Sequence, residues 1–392
     1  MDLAELYRDL HRHPELAFAE TRTAGIAARE LRAAGFEVAE GVGGTGVVGV
    51  LRNGDGPTVL LRADMDALPM AERTGLEYAS ATEGAMHACG HDMHVTCLVG
   101  AARELAADRS WSGTVLAVFQ PAEEVGGGAQ AMVDDGLFER FGRPDVVLGQ
   151  HVAPMPAGDI GLRSGPSFAA ADTLRVTLHG RGGHGSRPEA SVDPVVLAAA
   201  TVMRLQTIVS RETAGGDTAV VTIGAMSAGT VANIIPDHAE LHLSVRTYDP
   251  KVRERTLASI DRIVRAEALA SGAEKDPEVT LVSSFPALVN DDGAVERTRP
   301  AFPGMVVDPG PVTGSEDVGV FATAAGVPLV YWMLGCADPA LFAGATSFEE
   351  LRDIVMSLPA NHSPLFAPVV EPTIAPGVAA LVAAARAWLR QD

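Results

Sequence analysis

The chain of 392 residues exceeds the roughly 100–200 of one compact domain, so two units with separate cores are expected, one inserted in the other. A composition of 47% hydrophobic and 20% charged residues excludes a disordered chain, and a net charge of -20 with 5% aromatics excludes a surface for nucleic acid or anionic lipid. Three cysteines, Cys89, Cys97 and Cys336, cannot form a disulfide framework and suit a reducing compartment. The opening MDLAELYRDLHRHPE carries charge where an export signal needs an apolar core, and no apolar run approaches the roughly 20 residues of a membrane span, so a cytoplasmic setting is expected. Only Lys251 and Lys275 are lysines, a balance typical of a GC-rich bacterial genome.

After an amphipathic opening helix, Ile26, Ala27, Leu31 and Ala34 fall at helical spacing and predict a helix from Ala24 to Ala34 that stops at Gly35. Thr58–Leu61, Thr114–Phe119 and Val146–Leu148 are short apolar runs of the kind buried in a sheet covered on both faces. Each leads into polar residues: Asp64 and Asp66, Glu123 and Glu124, and His151. In α/β sheets ligands bind outside the carboxyl ends of strands, so these three ends are expected to converge.

From about Ala170 the pattern changes. Leu174, Val176 and Leu178 alternate with polar residues, as do Leu241, Leu243 and Val245, each with the period of a half-exposed strand. Between and after them are a helix from Pro194 to about Leu205 capped by Asp193, a strand at Ala219–Ile223, a helix over Pro250–Ala270 and a strand near Val279–Val282. The order is βαββαβ, an antiparallel sheet with two helices on one face. Apolar Val327–Leu334 and a helix from about Gly377 to Leu389 then return to the first texture, which points to an insertion.

The stretch His87–His94 reads HACGHDMH, one thiol, three imidazoles and a carboxylate around a flexible Gly90. Thiolate with imidazole favours zinc or a neighbouring transition ion over magnesium or calcium; the plainer alternative is a polar loop with a buried cysteine. In QPAEE, Gln120–Glu124, adjacent carboxylates point in different directions, so one can bind metal while the other acts as general base; alone, such a pair is more often a solvated helix start. His151 in GQHVAP and His362 in NHSPLF would each pass as structural singly, but together with the cysteine loop and acidic pair they form a site. Cys97 and Cys336 lack such neighbours and are expected in the core.

With LHRHPELAFAET, LRADMDALPM, HACGHDMH, FQPAEE, RGGHGSRPEASVDPV, NIIPDHAELHLSVRT, GSEDV and HSP in this order, the chain resembles the amidohydrolase branch of the zinc aminopeptidase-like peptidase superfamily, which contains hippurate hydrolases, aminoacylases and plant auxin-conjugate hydrolases. The resemblance implies a phosphorylase/hydrolase-like α/β catalytic domain with a mixed sheet covered by helices (1–169 and 289–392). It adds an inserted ferredoxin-like βαββαβ lid (170–288) through which a homodimer or higher homo-oligomer forms. It implies two divalent ions, zinc or manganese with nickel or cobalt as alternatives, held by Cys89, His91, Glu124, His151 and His362, and leaves the bridging donor open. Glu123 would be the general base, Asp66 would orient a ligand imidazole, and His184 in RGGHGS would be an oxyanion donor able to reach a partner subunit's site. Asn233 and Arg246 would contact the substrate carboxylate, whereas Glu316 and Asp317 receive no role. Asp64 stands where the wider superfamily has a histidine, and Val369, Val370 and Glu371 replace an acidic pair usual after HSP. The implied reaction is hydrolysis of an N-acyl amino acid to a carboxylic acid and an amino acid. A dipeptidase or carboxypeptidase, and a catalytically silent metal-binding scaffold, are the alternatives.

Overall fold

The computed structural model describes residues 1–391, and the chain divides into two compact units. The first comprises Met1–Gly165, Val289–Gly310 and Asp317–Asp392; the second comprises Pro166–Leu288 with Pro311–Glu316. Among the described residues no helix is long and apolar enough to cross a membrane.

The first unit begins with α1 (Leu3–Arg12), whose first turn is closed by the Asp2 carboxylate accepting from the Glu5 N–H, and which buries Leu6, Tyr7 and Leu10. Helix α2 (Thr21–Ala33) buries Ile26, Ala27 and Leu31 and ends where Gly35 takes φ +90°. It starts three residues earlier than the apolar spacing predicts, because its first turn, from Thr21, carries little of the hydrophobic stripe. Strands β1 (Glu37–Val42) and β2 (Gly46–Asn53), for which the sequence gives no expectation, come next. Six consecutive residues of β2 are buried, so no alternation marks it, and its glycines read as a loop. Then come β3 (Thr58–Asp64), α3 (His91–Ala107), β4 (Trp111–Gln120) and β5 (Val146–Pro156).

The second unit supplies β6 (Ala170–His179), α4 (Pro194–Thr207), β7 (Ala219–Ala228), β8 (His238–Thr247), α5 (Pro250–Ala270) and β9 (Glu278–Phe285), the βαββαβ order expected. Asp193 and Asp249 cap the two helices with their side chains, each followed by proline at the first helical position. The four strands form an antiparallel sheet in the order β7-β8-β6-β9. Leu174, Val176, Leu178, Leu241, Leu243 and Val245 pack there with Leu197, Leu205, Ile260 and Val264 of the helices in a core of their own.

The chain re-enters the first unit for β10 (Leu329–Ala337) and α6 (Val370–Trp388), whose helical geometry is interrupted at Glu371 and Pro372. The large sheet runs β1-β2-β4-β3-β5-β10 and continues through Ile160–Gly161 and Val306–Val307. It is mixed: β3 lies parallel to β4 and β5, and β5 parallel to β10, while β2 runs antiparallel to β1 and β4. Helices α1, α2, α3 and α6 contribute to one continuous apolar core with it.

Candidate metal centre

Pairing between β3 and β5 ends at Arg62 with Gly149, and pairing between β3 and β4 ends at Asp64 with Gln120. Beyond those points the chains part, and the gap at the carboxyl ends of β3 and β4 receives Asp66, Glu123, Glu124 and His151. His151 does not follow the end of its strand, as the apolar run predicts. It lies inside β5, paired with Met333 of β10, because β5 continues along β10 after β3 has stopped.

The cysteine segment also differs from a flexible loop. Gly90 is fixed at φ +85° as the cap of α3, and a Cβ there would stand 2.3 Å from Val152 Cγ2, so only glycine fits both the backbone and the packing. His91 is the first residue of α3, and Cys89 lies just outside it. His362, at φ +68°, donates its N–H to the Ala88 carbonyl at 2.8 Å. Asn361 donates its amide to the carbonyls of Cys89 at 3.1 Å and Val152 at 3.2 Å. One side chain, which the sequence did not single out, thus joins the three segments carrying Cys89, His151 and His362.

Five groups of candidate donors result among the described residues; two share Cys89, and the others are Asp64, His91 and His94, then His91, Glu123 and Glu124, then Glu123, Glu316 and Asp317. In Cys89, His91 and His151, and again in Cys89, Glu124 and His362, the candidate ligand atoms lie within 4.8 Å of one another. Cys89 Sγ is 3.4 Å from His151 Nε2, and His362 Nε2 is 3.3 Å from Glu124 Oε2. Glu123 lies beside them, Oε2 at 4.0 Å from His91 Nε2. Glu123 and Glu124 sit in a turn ahead of the next helix, not at a solvated helix start, and Glu123 is only 5% exposed. His91 Nε2 and Oε1 of Glu124 are buried without a hydrogen-bond partner, 3.9 Å from one another. An unsatisfied buried polar group costs about 1–3 kcal/mol, so atoms of this kind facing one another fit a cation. Thiolate, imidazole and carboxylate together suit a transition ion.

The electrostatics agree. Burial opposes ionisation of Cys89, but the charges of His151 and His91 outweigh it and pull the thiol down to about 6. Burial pushes the Cys97 thiol up to about 12 and the Cys336 thiol higher still, as expected of core residues. His362 is raised to about 10 by hydrogen bonding to Cys89 and Glu124, so cation binding must displace its proton.

A supporting layer lies beneath. Asp66 accepts the N–H groups of Glu123 and Glu124, each at 3.0 Å, and its Oδ1 is 3.3 Å from His91 Nδ1. Val152 N–H donates to His94 Nε2 at 2.9 Å, so His94 carries its proton on Nδ1 and donates it to Asp64 at 2.6 Å. Burial keeps His94 and His87 neutral, the latter with its pKa down to about 4, and of the three imidazoles in HACGHDMH only His91 shares a donor group with Cys89. Asp64 is also paired with buried Arg62 at 2.6 Å; burial opposes its ionisation, but Arg62, His91 and His94 hold it well below the usual carboxylate range. Asp317, given no role by the sequence, accepts from Arg62 at 3.2 Å, Gln120 at 2.7 Å and the Ala129 N–H at 3.2 Å.

The other three candidates belong to the second unit. His184 is exposed on a two-residue strand paired with Ile234–Ile235, next to exposed Asn233, whose carbonyl accepts the Gly185 N–H. The Ser186 hydroxyl lies 2.8 Å from His184 Nδ1. Arg246 is half-buried, donating to the Ser315 hydroxyl at 2.6 Å. Asn233 precedes the His238 end of β8 and Arg246 lies near its Thr247 end, roughly 27 Å along the strand, so the structure groups His184 with Asn233 and not with Arg246.

Comparison with known proteins completes the picture. Residues 60–356 match the peptidase family M20/M25/M40. The chain is 41% identical to a hippurate hydrolase of Campylobacter jejuni, over 82% of this chain and 85% of that protein. It is 37% identical to a thermostable carboxypeptidase of Saccharolobus solfataricus over 85% of each. The crystal structure of a dinuclear metal-binding peptidase of the M20 family from Bacillus subtilis superimposes with a TM-score of 0.78 at 29% identity, covering 98% of this chain and 97% of that one. The chain is a hydrolase of the M20/M25/M40 peptidase family, in its amidohydrolase branch.

Proposed function

We propose that this chain hydrolyses the amide bond of N-acyl amino acids, releasing a carboxylic acid and an amino acid. The observation that carries the reading is the pair of donor groups sharing Cys89, with Glu123 beside them and Asp66 holding both glutamate backbones. Cys89, His91 and His151 would hold one ion, and Cys89, Glu124 and His362 the other, with Cys89 common to both. Two divalent ions, zinc or manganese with nickel or cobalt also suited to these donors, would supply Lewis-acid polarisation of the carbonyl and a water acidified toward neutral pH.

Glu123 would take a proton from the attacking water as its oxygen adds to the acyl carbon. The same carboxyl gives the proton to the amide nitrogen as the C–N bond breaks, so the amine leaves neutral. Asp66 holds the backbone of Glu123 and Glu124 so that both carboxylates approach His91 Nε2, at 4.0 and 3.9 Å, one to serve as base and the other as ligand. Arg246 suits the carboxylate of the amino-acid half through a paired contact. The exposure of His184 and Asn233, and their separation from Arg246 along β8, support a reading in which a second copy of the chain presents them, His184 as donor to the carbonyl oxygen. A cytoplasmic, bacterial setting and a small-molecule substrate, with neither nucleic acid nor membrane as partner, suit the net charge of -20 and the three free cysteines.

The carboxypeptidase relative favours a second reading, cleavage of a peptide C-terminal residue. Metal-reconstituted protein assayed on N-acetyl, N-benzoyl and indole-acetyl amino acids against plain dipeptides separates the two. Turnover of the acyl amino acids is expected; turnover of peptides alone would overturn the choice, and none on any amide would support a silent scaffold.

A further inference from the structure

Glu20 has no part in the proposed chemistry, yet its side chain is completely buried at the start of α2, where it does not cap the helix. Its Oε1 accepts the N–H of Phe18 at 3.0 Å and of Ala122 at 2.9 Å, and its Oε2 accepts the Thr45 hydroxyl at 2.5 Å. Among the described residues three non-glycine residues have positive φ: Phe18 at 59°, Ala122 at 52° and His362 at 68°. Glu20 holds the first two. Left-handed alanine is sterically disfavoured and persists only where its surroundings impose it.

Ala122 directly precedes the two glutamates. The N–H of residue 122 goes to Glu20, and those of 123 and 124 go to Asp66, so three successive backbone donors are held by two buried carboxylates. The dihedrals of Ala122 set the direction in which the chain, and with it the Glu123 side chain, leaves β4. Asp66 alone fixes two N–H groups but not the bend that brings them round.

We propose that Glu20 is a positioning residue for Glu123 and Glu124, holding Ala122 in the left-handed bend that brings both carboxylates to His91. The kinetic part of this inference rests on the hydrolase reading; the backbone part does not.

The test compares metal-loaded wild type with Glu20→Gln and Glu20→Ala. Glutamine keeps an oxygen for both N–H groups, and its amide can donate to Thr45, so kcat within about threefold of wild type is expected. At saturating metal, alanine is expected to lower kcat by about 30–100-fold, as a displacement near 1 Å in a reacting group does, with KM within about threefold. Hydrogen exchange in the peptide covering residues 121–128 should quicken at least about tenfold in Glu20→Ala, with α3 unaffected, and stay at the wild-type rate in Glu20→Gln. If Glu20→Ala does not fold, Glu20→Asp, which shortens the reach by one methylene, takes its place with the same expected direction. Wild-type exchange over 121–128 in the truncated variant, or a kcat loss matched by metal loss alone, would overturn the proposal. Should wild type cleave no substrate in the panel, the hydrolase reading fails while the exchange comparison still decides the role of Glu20.

Discussion

Cys89, His91, Glu123 and His151 are 7%, 0%, 5% and 9% exposed, on segments tied together by Asn361, Asp66 and His94. His184 and Asn233 are exposed on a ribbon of two-residue strands whose polar contacts are local. The first region is organised before any substrate arrives; except at exposed His362, most of its desolvation cost is met in folding. The second is accessible to an approaching molecule and makes few contacts that would fix it. Preorganised donors suit ions and a proton carrier, and exposed donors suit a contact completed on binding or assembly.

The largest expected effect tests the buried region. Glu123→Gln should lower kcat by about 10²–10⁴-fold while keeping the metal content of wild type, because the amide preserves shape and removes the base. Steady-state kinetics beside elemental analysis would check it, and substantial residual turnover would assign the proton to another group.

The rigidity of that region should also depend on pH through the brace behind α3. His11 Nδ1 is 2.6 Å from Asp92 and its Nε2 is 3.3 Å from Glu72, with Tyr7 and Tyr78 against the ring and buried His87 nearby. Burial would lower its pKa, but Asp92 and Glu72 outweigh burial and raise it to about 9. A folded value above the unfolded 6.5 contributes stability that is complete below pH 6.5 and is lost as pH rises through 9, at most about 3 kcal/mol. Urea unfolding at pH 6 and pH 9.5 should show that loss in wild type and a smaller one in His11→Asn; equal slopes would mean that His11 is not the titrating brace.

For the exposed region the expected effect is kinetic only. His184→Asn should cost about 10²-fold in kcat without changing metal content or thermal stability. If a second copy supplies His184, mixing inactive Glu123→Gln with inactive His184→Asn should restore part of the activity through mixed dimers. No recovery in a mixture shown to exchange subunits would place His184 in the site of its own chain.

The apolar runs of β3, β4 and β5 and the polar residues beyond them were legible, because a strand buried on both faces leaves a local signal. The βαββαβ unit was legible from its alternation and from Asp193 ahead of Pro194. β2 was not, since its burial removes the alternation and its glycines mimic a loop. Gly90 read as flexible, although it is fixed by packing on a valine 62 positions away in sequence, at 152. The supporting residues were the least legible: Glu20 reaches Ala122 across 102 positions and Asn361 reaches Cys89 across 272. A carboxylate or amide that serves distant backbone groups has no neighbouring pattern to mark it, whereas ligands cluster by type near strand ends.

Asn361 offers the finest division of the two regions, because it is part of the buried scaffold yet belongs to none of the donor groups. Its amide is shared between the carbonyls of Cys89 and Val152, and its position next to His362 lets one side chain set the spacing of three donor segments. Asn361→Ala removes both hydrogen bonds without removing a donor. Metal affinity should fall by about tenfold, the lower end of what outer supporting partners contribute, while metal-saturated kcat stays within about threefold. Asn361→Asp keeps the size but replaces the donor by an acceptor facing two carbonyls, and should weaken binding further. Competition with a chromogenic chelator measures both. Affinity unchanged in both variants would mean that Gly90, the His362 N–H and the β5–β10 pairing suffice to space the donors, with rigidity arising from backbone packing alone.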